Sequence, residues 1–148
     1  YKTYLVVFDG VRVAVDGTSL FSMISANNGG SYFNSGLSRV TWSEVDTGSS
    51  ISDDTDDETA SEILINMSGI GTNANGESMS GTAWLFGSQD TDAHSYMMIR
   101  TVCVGTSGQT TQEITTTGIR TESVINAMQF YTGSGNLAGG TITLYGLT

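Results

Sequence analysis

The sequence predicts an all-β protein built as a single-domain antiparallel β-sandwich of jelly-roll type, covering residues 1–148. Three observations predict this class. The chain has nineteen glycines and no proline, and it is rich in serine and threonine, a composition that suits short strands joined by tight turns. Helix-forming residues are scarce, and no segment keeps a 3.6-residue apolar period. Instead, roughly nine or ten short β-type runs follow one another at the spacing typical of sandwiches.

The first strand signals surround the dipeptide Asp9-Gly10. Residues 4–8 form a β-rich run, and residues 11–15 have valine at every second position, which places the valines on one face of a strand. Asp-Gly between two such runs is typical of a hairpin turn. One continuous strand with a glycine bulge fits the same residues, so both readings stay open.

The clearest strand covers residues 96–104. Its two faces are both largely apolar, so we expect it to lie centrally between two layers. The most polar stretch, residues 46–62, is predicted to be one long exposed, acidic loop. The other predicted strands lie at residues 20–25, 37–45, 63–67, 82–86, 113–117, 124–131 and 141–145.

Charge and cysteine content argue against several functions. The chain has five Lys and Arg residues and fifteen Asp and Glu residues, which give a net charge of −10. Because this charge repels phosphate backbones and anionic lipids, we expect no nucleic-acid and no membrane partner. No apolar run approaches the roughly 20 residues of a membrane-spanning helix. Cys103 is the only cysteine, which rules out an internal disulfide. The chain opens on Tyr1, beside a strand-like run, and we interpret it as a processed or excerpted chain.

Both ends of the chain carry a recurring strand-and-turn theme. The N-terminal residues are Tyr4, Phe8-Asp9-Gly10-Val11, Asp16-Gly17, Leu20, Ile24-Ser25 and Gly29-Gly30. The C-terminal residues are Ile125-Asn126-Ala127-Met128-Gln129-Phe130, Ser134-Gly135-Asn136-Leu137, Gly140 and Leu144-Tyr145-Gly146-Leu147. These segments, about a third of the chain, resemble the two ends of a β-sandwich module found in structural virion proteins of tailed bacteriophages.

The resemblance implies a head-decoration or tail-fibre module located in the virion, an extracellular particle. Such a module acts through self-association, with a trimer favoured, and by docking on other capsid or tail proteins. No set of catalytic residues comes with the resemblance. A carbohydrate-binding domain that recognises a host surface glycan is the alternative function.

Two groups of polar residues are candidate metal sites. Asp53, Asp54, Asp56, Asp57 and Glu58 form an acidic run whose oxygens could bind calcium, the one cofactor that the sequence suggests. The spacing is not that of an EF-hand, and runs of like charge are usually solvated loops, which is the favoured reading. Asp90, Asp92 and His94 recur at every second position, so an extended chain would place all three on one face, but we interpret them as a polar loop.

Aromatic residues beside turns are the candidate glycan or partner contacts. Tyr32, Phe33 and Tyr131 are chosen because each is near a glycine-rich turn, whereas Trp42 and Trp84 lie within strand patterns and are assigned to the core. We expect no enzymatic activity. The only histidine is not accompanied by a Gly-x-Ser-x-Gly motif, and Cys103 lies in an apolar strand where a thiol is inert.

Overall fold

The structure, a computed structural model, describes residues 1–45, 50–72, 76–106, 108–120 and 122–147; for residues 39–45 and 50–59 it describes the backbone only. The described residues contain no α-helix, and none of their segments is a helix that could cross a membrane. The ten strands are β1 (Thr3–Val13), β2 (Leu20–Ser25), β3 (Leu37–Val45), β4 (Ser50–Ala60), β5 (Ile63–Leu64), β6 (Met79–Phe86), β7 (Ser95–Val104), β8 (Thr110–Ile119), β9 (Ala127–Thr132) and β10 (Leu137–Leu147).

The strands form two antiparallel sheets of unequal width. Seven strands pair in the order β10-β1-β6-β7-β8-β3-β4, and three pair in the order β5-β2-β9. The two sheets pack face to face, which confirms the predicted all-β sandwich. The strand order does not establish the jelly-roll type, which stays a prediction.

The core lies between the two sheets. In the large sheet, Val6 and Phe8 of β1 are buried, and in the small sheet Leu20 and Ile24 of β2 are buried. The ring of Phe8 meets that of Phe130 from β9 edge-to-face, with centroids 5.5 Å apart. Such aromatic pairs add roughly 0.5–1.5 kcal/mol beyond the area they bury. Packing of this kind joins the sheets without any cross-link.

The Asp9-Gly10 dipeptide forms a bulge within one strand. β1 runs without a break from Thr3 to Val13, and its register against β6 shifts between Phe8 and Val11. Gly10 has a φ of +58°, a left-handed conformation that glycine adopts without steric cost. The hairpin reading is therefore wrong, and the bulged continuous strand is the correct one.

The predicted loop 46–62 is only partly a loop, because most of it is strand β4. Its backbone pairs with β3 from Val45↔Ser50 to Leu37↔Ala60, with two register shifts. The sequence missed this strand because β4 has five carboxylates and no apolar alternation. Backbone pairing to β3 supplies what the side-chain pattern does not indicate. Residues 46–49 lie outside the described part of the chain.

The strand β7 is central in the large sheet but has only one covered face. It is fourth of seven strands, as its apolar sequence predicts. Its residues alternate strictly between buried and exposed, with Met97 and Ile99 inside and Tyr96 and Met98 outside. The expectation that two layers enclose this strand is therefore wrong, because the three-stranded sheet covers one side only.

A buried carboxylate links the two layers. Glu113 of β8 is only 1% exposed, and its two oxygens accept the backbone N–H groups of Met67 at 2.5 Å and Ser68 at 2.7 Å. The segment that contains Met67 follows β5, and Ile65 in it donates its N–H to the carbonyl of Leu20 on β2. Glu113 thus fixes the backbone beside the small sheet to the inner face of the large sheet.

Replacing Glu113 should therefore destabilise the fold. Glu113→Gln keeps the volume but turns an amide N–H₂ towards a backbone N–H, leaving a buried donor unpaired. We expect a loss of about 1–3 kcal/mol in the free energy of unfolding, measured by urea denaturation. Glu122→Gln, at an exposed position, is the matched control and should change stability little. Equal stability of the two variants would contradict this role.

Cys103 lies next to this buried group. The pKa of its thiol is raised from 9.0 to about 12, mainly by burial and also by the negative charge of Glu113, while a hydrogen bond from Asn66 opposes the shift. The Asn66 Nδ2 atom donates to the Cys103 Sγ atom at 3.3 Å. The folded protein therefore keeps this thiol protonated, which makes it a poor nucleophile.

The raised pKa predicts a specific loss of stability at alkaline pH. Above about pH 9 the unfolded chain releases the Cys103 proton and the folded chain does not, so stability present below pH 9 is lost progressively towards pH 12. We expect the urea midpoint of the wild type to fall more steeply than that of Cys103→Ala over this range. Parallel pH profiles for the two proteins would refute the assignment.

Candidate functional site

The outer face of the large sheet carries the most prominent exposed feature of the described residues. Strand pairing places Tyr145, Leu5 and Trp84 opposite one another on β10, β1 and β6, and Trp84 opposite Met98 on β7. In the next row, Phe86 of β6 pairs with Tyr96 of β7. We name these six side chains the outer apolar patch: Leu5, Trp84, Phe86, Tyr96, Met98 and Tyr145.

The side chains of the outer apolar patch are open to solvent. Tyr96 is 57% exposed, Met98 and Tyr145 are each 50% exposed, and Phe86 is 38% exposed. Leu5 and Trp84 are half-buried by their neighbours. Large contiguous patches of exposed apolar side chains are rare and commonly mark interaction sites.

Two rings of the patch lie parallel to each other. Trp84 and Phe86 are two residues apart on β6, so both project from the same face, and their ring centroids are 6.3 Å apart with an angle of 8° between the planes. The two rings are stacked on each other, and aromatic rings of this kind can also contact further flat apolar groups.

The two central strands of the patch carry no acidic residue. Strands β6 and β7 contain no Asp, Glu or Lys, and their one charged residue is Arg100. Arg100 is exposed on the same face as Met98 and donates from Nη2 to the Oε1 atom of Gln112 on β8 at 3.1 Å. In a chain of net charge −10, the centre of this face is therefore neutral to slightly basic.

The candidate residues from the turns do not form one exposed site. Phe33 is half-buried and packs against the core, and its N–H donates to the carbonyl of Ile24. Tyr32 beside it is half-buried next to Gly29. Tyr131 lies on β9, with its ring stacked on Phe21 at 5.7 Å and its hydroxyl donating to the Glu62 carboxylate.

Trp84 differs from its predicted core position. Residues 82–86 alternate in a way that fits either face, and the structure buries Ala83 and Leu85 while Trp84 faces outwards. The side chain of Trp42 lies outside the described part of the chain. The signal that could have identified the outer apolar patch is the apolar character of both faces of residues 96–104, which also fits a strand with one uncovered face.

The candidate metal ligands divide into two groups. The backbone of Asp53, Asp54, Asp56, Asp57 and Glu58 belongs to β4, and their side chains lie outside the described residues. Asp90, Asp92 and His94 are exposed and precede β7, where Asp92 donates its N–H to the Asp90 carboxylate. Within the described residues, no three His, Cys, Asp or Glu side chains come together in a group that could hold a metal ion.

Comparison of the chain with protein families, with curated proteins and with solved structures finds no match. The outer apolar patch therefore has to be interpreted from its own chemistry.

Proposed function

We propose that this protein is a structural module of a bacteriophage virion that self-associates and docks on other virion proteins through the outer apolar patch. The observation that carries the proposal is the patch itself, a contiguous set of exposed aromatic and apolar side chains across four strands. The virion setting rests on the resemblance of both chain ends to phage structural proteins.

The composition of the patch suits a protein interface. Aromatic residues, methionine and arginine are enriched at the centres of protein–protein interfaces, and lysine and acidic residues are depleted there. Strands β6 and β7 follow this pattern, with Trp84, Tyr96 and Met98 beside Arg100 and no acidic residue. Catalysis has less support, because Cys103 is buried and kept protonated.

Removing the apolar character of the patch should reduce association. In the double variant Tyr96→Thr/Met98→Thr, the new threonines have a high strand propensity, so the strand stays intact while exposed apolar area is lost. We expect the wild type to form a defined oligomer in sedimentation velocity and light scattering at micromolar concentrations. The double variant should dissociate at least tenfold more readily, with little change in melting temperature.

The matched control is Val15→Thr, which removes an exposed apolar group that lies outside the patch. It should associate like the wild type. A wild type that stays monomeric at high micromolar concentration would refute self-association, and equal loss in both variants would refute the role of the patch.

Carbohydrate recognition is the second candidate, favoured by the parallel rings of Trp84 and Phe86 next to Tyr96. The faces of sugar rings stack on such side chains, and Arg100 with Gln112 could donate hydrogen bonds to hydroxyls. The net charge of −10 disfavours acidic sugars, so neutral oligosaccharides are the expected ligands.

Glycan binding at the outer apolar patch should depend on Trp84 and not on Tyr131. If this candidate is correct, titrating neutral oligosaccharides into the wild-type protein should change its tryptophan fluorescence. Trp84→Ala should abolish binding measured by calorimetry, whereas Tyr131→Phe should leave it unchanged. The reverse pattern would move the glycan site to β9, and no heat with any oligosaccharide would remove this candidate.

A further inference from the structure

The large sheet has two edges of opposite character. Strand β4 forms one edge, and its eleven residues include five carboxylates. Strand β10 forms the other edge, and its eleven residues include no charged residue and no proline. Proteins commonly protect a sheet edge from pairing with another chain by charges or proline. The β4 edge has this protection and the β10 edge does not.

The part of β10 that is regular enough to pair is its second half. Residues 141–147 are in unbroken register with β1, from Thr141↔Asp9 to Leu147↔Thr3. The first half is irregular, because the register shifts beside Gly140, which has a φ of +88°, and the Arg12 guanidinium packs over Gly139. Within the described part of the chain β10 pairs with β1 alone, so the seven regular residues present a free edge of backbone donors and acceptors.

Apolar side chains on this edge are left uncovered on both faces. Leu144 pairs with Val6, so it lies on the inner face, yet it is 59% exposed while Val6 is 1% exposed. Leu144 lines an apolar cleft of about 250 Å³ together with Tyr4 of β1 and Met128 of β9. Tyr145, on the outer face, belongs to the outer apolar patch and is 50% exposed. The small sheet is too narrow to cover this side of the sandwich.

We infer that the free edge of β10 pairs with β10 of a second copy of this chain, antiparallel about a two-fold axis at Leu144. This inference rests on the proposed function as an assembly module. An axis at Leu144 uses all seven regular residues, because Thr143 then opposes Tyr145 of the second copy and Leu144 opposes its own equivalent. Residues on the outer face meet residues on the outer face, as a continuous sheet requires.

The charge distribution favours pairing of the β10 edge with the β10 edge of a second copy. In a β10-to-β10 pair, the two acidic β4 strands lie at the far ends of a fourteen-stranded sheet, roughly 60 Å apart at about 4.8 Å per strand. This separation exceeds the Debye length of about 8 Å at physiological salt, so the acidic edges do not repel each other. Near the contact, β1 contributes one Asp and one Arg, which balance.

A head-to-tail contact between β10 and β4 is disfavoured by the same distribution. It would bring β4, a strand whose sequence has five Asp and Glu residues, to the contact, and it would build a ring or an open chain. The trimer that the resemblance implies would need such a contact if it used sheet edges. Pairing through β10 gives a dimer instead, and it places the two outer apolar patches side by side on one face, where they stay free for the patch-mediated association of the proposed function.

A single engineered cysteine tests the register directly. Residues that face each other across antiparallel strands have Cα atoms about 4.5–5.5 Å apart, within the range of a disulfide. Leu144→Cys should therefore form a disulfide-linked dimer under mild oxidation at low protein concentration. Cys103 is buried and provides no competing thiol. Thr110→Cys, exposed on an internal strand, is the matched control and should stay unlinked. Equal cross-linking of both variants, or of neither, overturns the inference.

A charge at the axis gives a second test that is independent of cross-linking. Leu144→Lys places two like charges together at the contact, and we expect at least tenfold weaker dimerisation by sedimentation with an unchanged melting temperature. Thr110→Lys changes net charge equally and should dimerise like the wild type. An oligomer that survives Leu144→Lys but is lost in Tyr96→Thr/Met98→Thr overturns the edge inference and leaves the proposed function standing. A monomeric wild type overturns both.

Discussion

The mismatch in width between the two sheets determines most of the surface properties of this protein. Seven strands at about 4.8 Å span roughly 29 Å, whereas three strands span roughly 10 Å. The small sheet therefore buries the inner face of the central strands and leaves the flanks open. Val6 and Leu144 face the same way on neighbouring strands, and only Val6 is buried. None of the described strands covers the outer face, and Tyr96 and Met98 are exposed there.

Within this arrangement, one polar contact compensates for the narrow layer. The segment after β5 extends the small sheet without pairing as a strand, and it needs partners for its backbone N–H groups. Glu113 supplies them from the opposite sheet. The neighbouring Cys103 thiol has a raised pKa, because it is buried and because it lies near the negative charge of this carboxylate. A chain without disulfides thus fixes a loop by charge-assisted hydrogen bonds.

Sequence patterns predicted the fold class and most strands, because two-residue alternation and glycine turns act locally. They did not decide between a hairpin and a bulge at Gly10, since both conformations use the same positive φ. They missed β4, whose pairing depends on β3 and not on its own side chains. They also misplaced Trp84, because apolar residues on both faces of β6 do not indicate which face a second layer covers. The outer apolar patch depends on which face of the large sheet the small sheet covers, and no local sequence pattern contains this information.

If the β10 edges of two copies pair, the exposed β10 strands and the outer apolar patches of both copies join into one surface. A two-fold axis perpendicular to the sheet keeps the outer face of each copy on the same side, so Tyr145 of both copies lies near the axis and the two patches adjoin. Two linked weak contacts bind a repetitive partner far more tightly than one, because the second contact forms at a high effective concentration. A virion surface is repetitive in this way. If the protein has the proposed role in a virion, dimerisation through the neutral β10 edge would therefore give the outer apolar patch the avidity that docking on such a lattice needs. In this dimer the two β4 strands form the outer edges of the joined sheet.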